Sequence, residues 1–340
     1  MAPSKMKAVD IKGGKGPASA LFINDATAVP EPKEGDALVK IKAFGLNRMD
    51  LLQREGKYPL PPQAPLTLGV EFSGTVESLG AGDHGDFKVG DAVFGLAYGG
   101  AYAEYIAVSS KMLLHKPGHL SWEQAAAIPE TWITATQALH LVGEFAGAGK
   151  SVLWHAGASG VSIAGIQLSR DAGAASVFAT AGTDEKCRFV ESKLGATAAY
   201  NYKTQEDWDR RILEATGGKG VDLIVDFIGA PYFQRNLNVA GRDCRWVCLG
   251  QMGGSVLPAD VNIGPLLFKR VRIEGSTLRS REPDYQARLR DKLAEYIPHF
   301  KEGGALKVLI DTVMPWEDIV KAHELMESNS ITGKIICTIS

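Results

Sequence analysis

Between Ser151 and Ser276 six short apolar runs (SVLWHAG, ASVFAT, TAAYNY, VDLIVDFI, RWVCLG and VRIEGS) alternate with segments of helical composition. Nothing else in the chain restricts its fold as much. Consecutive parallel strands must be joined by crossovers of a dozen or more residues, usually helices, and strands covered on both faces read as short apolar runs rather than as alternations. The pattern therefore predicts an α/β architecture with a doubly wound parallel sheet. Its helices fall from about Gly160, from Asp184 to Leu194, from Gln205 to Ala215, and near Phe233 to Val239.

Residues 1–120 differ in kind. They contain β-prone runs (KMKAVDI, ALVKIKAFGL, FSGTVESLG, DAVFGLA, AYAEYIAV) separated by Gly, Pro and Asp clusters, which predicts a β-rich domain with irregular loops. Glycine marks these divisions: 38 of 340 residues, about 11% against a usual ~7%. At Ser121 the pattern changes, because Ser121 with Gln124 forms a capping box at the start of a helical stretch interrupted by Pro129. The tail from about Arg279 carries a helix candidate (DYQARLRDKLAEYIPHF), two strand-like runs (LKVLI and KIICTI) and a second helix candidate between them (WEDIVKAHELMES). It has no room for a core of its own and is expected to return to the first domain. The resulting division is residues 1–129 with 279–340 for one domain and 130–278 for the other.

Charge and cysteine content exclude several classes of function. Thirty-seven Lys and Arg against 39 Asp and Glu give a formal net charge of -2, too balanced for a nucleic-acid footprint or a polybasic membrane anchor. Four cysteines, Cys187, Cys244, Cys248 and Cys337, form no C-x2-C pair, so neither a disulfide framework nor a zinc ribbon is expected. The first residues lack an apolar stretch of the roughly 7–15 residues that a secretory signal needs, and a reducing, cytoplasmic setting is expected. Ser151 to Ser169 is uncharged over 19 residues, near the length of a membrane span. Its His155, Gln167, four serines and three glycines divide it instead into a strand, a turn and a helix.

That turn is the sharpest local signal for chemistry. Ala156-Gly157-Ala158-Ser159-Gly160-Val161-Ser162 follows the strand candidate directly. A strand, a turn of small residues and a helix start together expose unpaired backbone N–H groups and the positive helix end, which suits a pyrophosphate. The spacing departs from G-x-G-x-x-G, with Ser162 near the place of the glycine that permits close helix–strand packing. Taken alone, the turn reads equally as a tight strand–helix connection; at the first turn of a six-strand alternation, nucleotide binding is the stronger reading.

The end of the next strand bears on the choice of dinucleotide. An NAD site places Asp or Glu about 20 residues beyond the glycine turn to hold the ribose hydroxyls, whereas a 2′-phosphate needs cations there. Here the stretch is Ala179-Thr180-Ala181-Gly182-Thr183, with Lys186 following. Thr183 reads as a helix N-cap, and Lys186 is either a solvated helix lysine or a phosphate ligand. Asp184 and Glu185 keep the NAD reading open.

Segments across the whole chain add a resemblance. AFGLNRMDL (43–51), GVEFSG (69–74), VGDAVFG (89–95) and QAAAIP (124–129) occur in this order, joined by QREGKY (53–58), His155-Ala156-Gly157, Asn201-Tyr202-Lys203 and LRSR (278–281). The chain resembles the medium-chain dehydrogenase/reductase superfamily over essentially its full length. Within that superfamily it is similar to the zinc-free quinone oxidoreductase (zeta-crystallin-like) branch, and most to p53-inducible quinone oxidoreductase-like proteins. The resemblance implies a GroES-like catalytic domain built from both chain ends, with a Rossmann dinucleotide domain between them. It also implies hydride transfer from NADPH to a quinone or another conjugated carbonyl, and a homodimer. Asn47 would lie beside the nicotinamide and Tyr58 would close the acceptor pocket. Thr134, Gly157, Ala158, Ser159, Gly160, Val161, Gly182, Thr183, Lys186, Tyr202, Leu249, Gly250, Gln251, Met252, Phe268, Leu278 and Arg279 would contact the cofactor. The alternatives it leaves are an enal or enone reductase, and an NADPH-binding regulatory or RNA-binding protein with little turnover.

A catalytic zinc needs three protein ligands and a structural zinc four. Where the alcohol dehydrogenase relatives place Cys and His, this chain has the Gly45/Leu46 region and Val70, with no cysteine before Cys187. None of the seven histidines has ligand-like spacing, and no metal is expected.

Overall fold

The computed structural model describes residues 2–340. Its strands, in chain order, are β1 (Lys5–Ile11), β2 (Leu21–Ala28), β3 (Asp36–Gly45), β4 (Glu71–Leu79), β5 (Ala92–Leu96), β6 (Tyr105–Ser109), β7 (Leu113–His115), β8 (Ser151–Trp154), β9 (Ser176–Ala181), β10 (Ala198–Asn201), β11 (Val221–Asp226), β12 (Ala240–Cys248), β13 (Arg272–Gly275), β14 (Ile310–Pro315) and β15 (Lys334–Thr338). The chain divides into two units, one running to Ile133 and resuming at Arg279–Ser340, the other Thr134–Leu278.

In the unit Thr134–Leu278 the six alternating runs form one sheet in the order β10-β9-β8-β11-β12-β13, every neighbouring pair parallel. The order reverses beside β8: the chain moves outward to β9 and β10, then returns to place β11 on the other side. That is the topological switch point of a doubly wound sheet, where the carboxyl ends of the strands leave a crevice. Leu153, Phe178, Trp208, Ile224, Leu237, Val239 and Trp246 form one buried cluster on this sheet. Ser159 caps helix Gly160–Asp171 by accepting from the Ser162 N–H. Close packing of that helix depends on Gly165, not on position 162, because a Cβ at 165 would stand 2.2 Å from the Trp154 ring. The Ser162 hydroxyl is buried and donates to the His155 carbonyl at 2.7 Å. Thr183 caps helix Asp184–Leu194, accepting from the Lys186 N–H at 3.2 Å.

The other unit holds a β1-β2 hairpin and a seven-stranded sheet ordered β14-β15-β3-β4-β5-β7, with β6 also paired to β3. The two C-terminal strands thus join the sheet begun by residues 36–45, β15 running antiparallel to β3 with Ile336 opposite Gly45. One tail strand is displaced from its expected run. LKVLI ends where the strand starts, and β14 is Ile310–Pro315, whose residues alternate between half-buried and exposed. The apolar run owes its composition to packing, with Leu306 fully buried, whereas the period-2 alternation of IDTVMP is the edge-strand pattern. Ser121 and Gln124 form the expected capping box, and Pro129 starts a separate helix, Pro129–Thr136. Helix Arg48–Arg54, β2 and β7 are elements beyond those anticipated.

Candidate functional site

In the unit containing both chain ends, three neighbouring strands bring an ionic cluster together. Continuing the β15–β3 register two residues past Ile336↔Gly45 sets Lys334 opposite Asn47, and the Leu46 N–H donates to the Ile335 carbonyl at 3.0 Å. On the other side of β3, Phe44 pairs with Phe72, so Glu71 lies beside Gly45. Glycine is required at 45: a Cβ there would approach Glu71 Oε1 to 2.3 Å. Lys334 Nζ donates to the Leu46 carbonyl at 2.7 Å and to Asn47 Oδ1 at 2.8 Å, and it pairs with Glu71 Oε1 at 2.5 Å. Asn47 Nδ2 donates to the same Glu71 oxygen at 2.9 Å, and the backbone N–H of Glu130 donates to Glu71 Oε2 at 2.9 Å. A carboxylate so placed meets the unpaired donors of a helix N-terminus.

Asn47 also begins helix Arg48–Arg54. Its backbone N–H donates to Asp50 Oδ2 at 2.8 Å, and Asp50 further accepts from the Gly69 N–H and the Tyr102 hydroxyl, each at 3.2 Å. Asp50 and Glu130 are buried. Burial lifts the Asp50 carboxyl to about 6, against the pull of the Asn47 N–H and of Arg279. Burial, followed by the charge of Glu71, lifts the Glu130 carboxyl to about 8. Arg279 is buried and fixed by the Tyr98 carbonyl at 2.7 Å and Gln53 Oε1 at 2.8 Å. Its guanidinium lies 5.3 Å from the centre of the half-buried Tyr58 ring, within cation–π range. Burial raises the Tyr58 phenol above its ordinary value.

Of the anticipated residues, Asn47, Tyr58 and Arg279 therefore belong to one connected group. Asn47 is 8% exposed, with its carboxamide engaged by Lys334 and Glu71. Sequence reasoning missed Asp50, Glu71, Glu130 and Lys334. A carboxylate inside GVEFSG and a lysine opening the apolar strand KIICT were the available signals, since charges buried in strands are almost always paired.

The second group lies at the carboxyl ends of the parallel strands in unit Thr134–Leu278. After β8, Ala156 takes a left-handed φ of 51°, a conformation that costs a non-glycine residue of order 1–2 kcal/mol. This turns Gly157 so that its N–H donates to the Thr180 carbonyl at 2.8 Å. A Cβ at Gly157 would stand 2.9 Å from the Ala179 Cβ. Ala158, Ser159, Gly160 and Val161 continue into the helix start. Gly182 and Thr183 follow β9 and Tyr202 follows β10; a Cβ at Gly182 would stand 3.0 Å from the Tyr202 hydroxyl. Lys186 lies one turn into the helix that Thr183 caps. Asp184 is drawn toward the next strand, where its Oδ1 accepts from Asn201 Nδ2 at 2.6 Å. Leu249, Gly250, Gln251 and Met252 follow β12, with the Leu249 N–H donating to the Asp226 carbonyl at 2.8 Å. Leu278 follows β13. The Thr134 hydroxyl is buried with no hydrogen-bond partner among the described residues.

Phe268 stands apart. It precedes β13 and is 75% exposed, next to Lys269, whose ammonium bonds the Leu237 and Asn238 carbonyls just ahead of β12. This is the amino-terminal edge of the sheet. A cavity of about 680 Å³ on that edge is lined by Ser151, Gly220, Asp222 and Lys269 among others, and by none of the anticipated residues.

A buried polar network missed by sequence reasoning supports the glycine turn. His155 Nδ1 is 2.9 Å from Thr180 Oγ1 and Nε2 is 2.7 Å from Asn236 Oδ1. Asn236 Nδ2 and Trp246 Nε1 both donate to Asp226 Oδ2 at 3.2 Å. Burial lowers the His155 pKa, which favours a neutral core imidazole.

Comparison with known proteins agrees with this architecture. The alcohol dehydrogenase GroES-like domain matches residues 33–118 and the zinc-binding dehydrogenase domain matches residues 160–295. The quinone oxidoreductase of Lama guanicoe is 32% identical over 334 residues, 97% of this chain and 97% of the relative. The chain belongs to the quinone oxidoreductase family. Among solved structures, an NAD-dependent alcohol dehydrogenase is similar at 31% identity and a TM-score of 0.82, covering 98% of this chain and 100% of the other. A mycobacterial protein complexed with NADPH is similar at 27% identity and a TM-score of 0.83, with the same coverage.

This family member does not offer zinc the donors its matched domain name implies. Gly45, Leu46 and Val70 supply no thiolate or imidazole, and the ammonium of Lys334 already neutralises Glu71 at 2.5 Å. Among the described residues no group of three or more His, Cys, Asp or Glu side chains is placed to hold a metal ion.

Proposed function

We propose that this protein is an NADPH-dependent quinone reductase, transferring hydride to a quinone or another conjugated carbonyl acceptor. The observation that carries the cofactor assignment is the end of β9. A small Ala181-Gly182-Thr183 turn leads to a helix N-terminus, Lys186 is one turn away, and the Asp184 carboxylate is bonded to Asn201 at 2.6 Å. An acid turned toward the ribose would repel a 2′-phosphate; here backbone donors and a helix end favour it. The residues fit the rest of a dinucleotide. The glycine turn at the switch point leads into the start of helix Gly160–Asp171, whose first backbone N–H groups can meet a pyrophosphate, and the unpartnered Thr134 hydroxyl is a ready donor for a carboxamide. Tyr202, Leu249 to Met252, Leu278 and Arg279 complete the proposed contacts. The mycobacterial neighbour's NADPH supports the same reading.

Bound NADPH supplies the hydride, and solvent supplies the proton that completes the hydroquinone. The protein's part is position and electrostatics. Asn47 presents an amide donor to the acceptor carbonyl, and Tyr58, steadied by Arg279, shapes the acceptor pocket. We further propose a cytoplasmic homodimer. The residues of β13, Arg272–Gly275, pair with β12 on one side and are exposed, and such an edge invites pairing with another copy. Among the described residues no helix is long and apolar enough to cross a membrane.

The test is NADPH oxidation at 340 nm with naphthoquinone, phenanthrenequinone and an enal. Turnover on the quinones supports the assignment. A clear preference for the enal transfers it to alkene reduction, and cofactor quenching of tryptophan fluorescence without turnover on any acceptor replaces it with a binding role.

A further inference from the structure

Lys334 is among neither the anticipated site residues nor the contacts so far given a chemical role. It is 6% exposed, Glu71 is 0% exposed and Asn47 8%. We propose that Lys334 is a positioning residue for acceptor reduction: its ammonium, shared by Asn47 Oδ1, the Leu46 carbonyl and Glu71 Oε1, fixes which end of the Asn47 carboxamide is oxygen, so that only an Nδ2 hydrogen is left to offer to the acceptor carbonyl. This rests on the quinone-reductase reading above.

A carboxamide can be seated two ways round, and its neighbours decide which. An ammonium carries donors only and an ionised carboxylate acceptors only. Lys334 at 2.8 Å from Asn47 Oδ1 and Glu71 at 2.9 Å from Nδ2 therefore act on opposite ends of the amide. Turning it over would set an NH2 against the ammonium and an oxygen against the carboxylate. One Nδ2 hydrogen is committed to Glu71, which leaves the other. Hydrogen bonds in series polarise one another, so the lysine on the oxygen also strengthens the remaining N–H as a donor. The backbone builds this arrangement: the β15–β3 register delivers Lys334 opposite Asn47, and Gly45 admits the Glu71 carboxylate. A buried ion pair is a weak source of stability compared with apolar packing, and enforcing one amide orientation gives this pair a purpose that burial alone does not.

Lys334→Met by itself leaves Glu71 buried and unpaired and risks misfolding. Lys334→Met/Glu71→Gln removes both charges, and a glutamine at the second position can offer either of its own groups, so positions 71 and 334 no longer enforce one orientation of Asn47. Measured with naphthoquinone, this double variant should lose roughly tenfold to a hundredfold in kcat, the range for a hydrogen bond to a charged group, with the Kd for NADPH unchanged. In an Asn47→Ala background the same two substitutions should cause no further loss. A loss that multiplies in that background, or no loss in the native background, overturns the proposal. A second readout is independent of turnover. The 15N side-chain amide signal of Asn47, identified by its absence from Asn47→Ala, should exchange with solvent slowly in the native protein and faster in the double variant; equal exchange rates overturn the proposed hold. A native protein that binds NADPH but reduces no acceptor removes the functional reading, and with it the role in reduction, while the amide signal separately reports whether Lys334 holds Asn47.

Discussion

Replacing Glu130 by glutamine should change how the stability of the protein depends on pH, and the size of the change follows from its surroundings. Glu130 is 6% exposed and faces Glu71, Asp50, Lys334 and Arg279, with burial first and the Glu71 charge second in raising its carboxyl from an ordinary 4.5 to about 8. Between those values the folded chain keeps a proton that the unfolded chain releases, so stability is highest below the unfolded value and is lost as pH rises through the folded one. Each pH unit in that window costs about 1.4 kcal/mol. From pH 5 to pH 7 the native protein should therefore lose about 2.5 kcal/mol that Glu130→Gln, with nothing to titrate at this position, retains. Asp50, raised to about 6, titrates in both proteins, so its own contribution largely cancels and what differs is Glu130 with its coupling to Asp50. Urea unfolding of both at the two pH values reads the difference directly. Parallel pH dependences would show that Glu130 is ionised and solvated in the folded protein, and the buried cluster would have to be redrawn.

Four further outcomes are expected. Lys186→Ala should weaken NADPH binding about tenfold to a hundredfold, the equivalent of a charged hydrogen bond of roughly 1.5–3 kcal/mol, while NADH binding barely changes; titration of both cofactors checks it, and equal losses or an initial preference for NADH would contradict it. Tyr58→Ala should reorder the acceptors by size with little effect on NADPH affinity, and an unchanged ranking across small and bulky quinones would remove Tyr58 from the pocket. Light scattering should give twice the chain mass across the micromolar range, and a single chain mass would count against β13 as a pairing edge. Dialysis against a chelator should leave turnover unchanged, whereas stoichiometric zinc lost together with activity would contradict the absence of a metal role.

The doubly wound sheet was legible because its evidence is local: six apolar runs, their spacing and capping residues such as Thr183 lie within 126 consecutive positions, Ser151 to Ser276. Asp184–Leu194 forms the helix its caps and composition predict. The ionic cluster was not legible, since Lys334 and Asn47 are 287 positions apart and meet only because β15 pairs with β3. A sequence window registers Lys334 as one more charge before an apolar strand. The tail strand misled for a related reason: LKVLI is apolar because Leu306 fills the core, while the strand belongs to the duller alternation of IDTVMP. Gly165 is a third case, where the need for glycine arises from the Trp154 ring eleven residues earlier and not from the spacing of the turn. Phe268 shows the limit of carrying roles across by resemblance, since its place at the amino-terminal edge of the sheet separates it from the other residues grouped at the carboxyl ends.

The central claim, reduction of a quinone at the expense of NADPH, is tested most directly by stoichiometry under anaerobic conditions. Purified protein is mixed with a known amount of NADPH and excess naphthoquinone, and the NADPH consumed is compared with the hydroquinone formed. One hydroquinone per NADPH is the predicted result. NADPH that binds and is not consumed, with no hydroquinone formed, would contradict it.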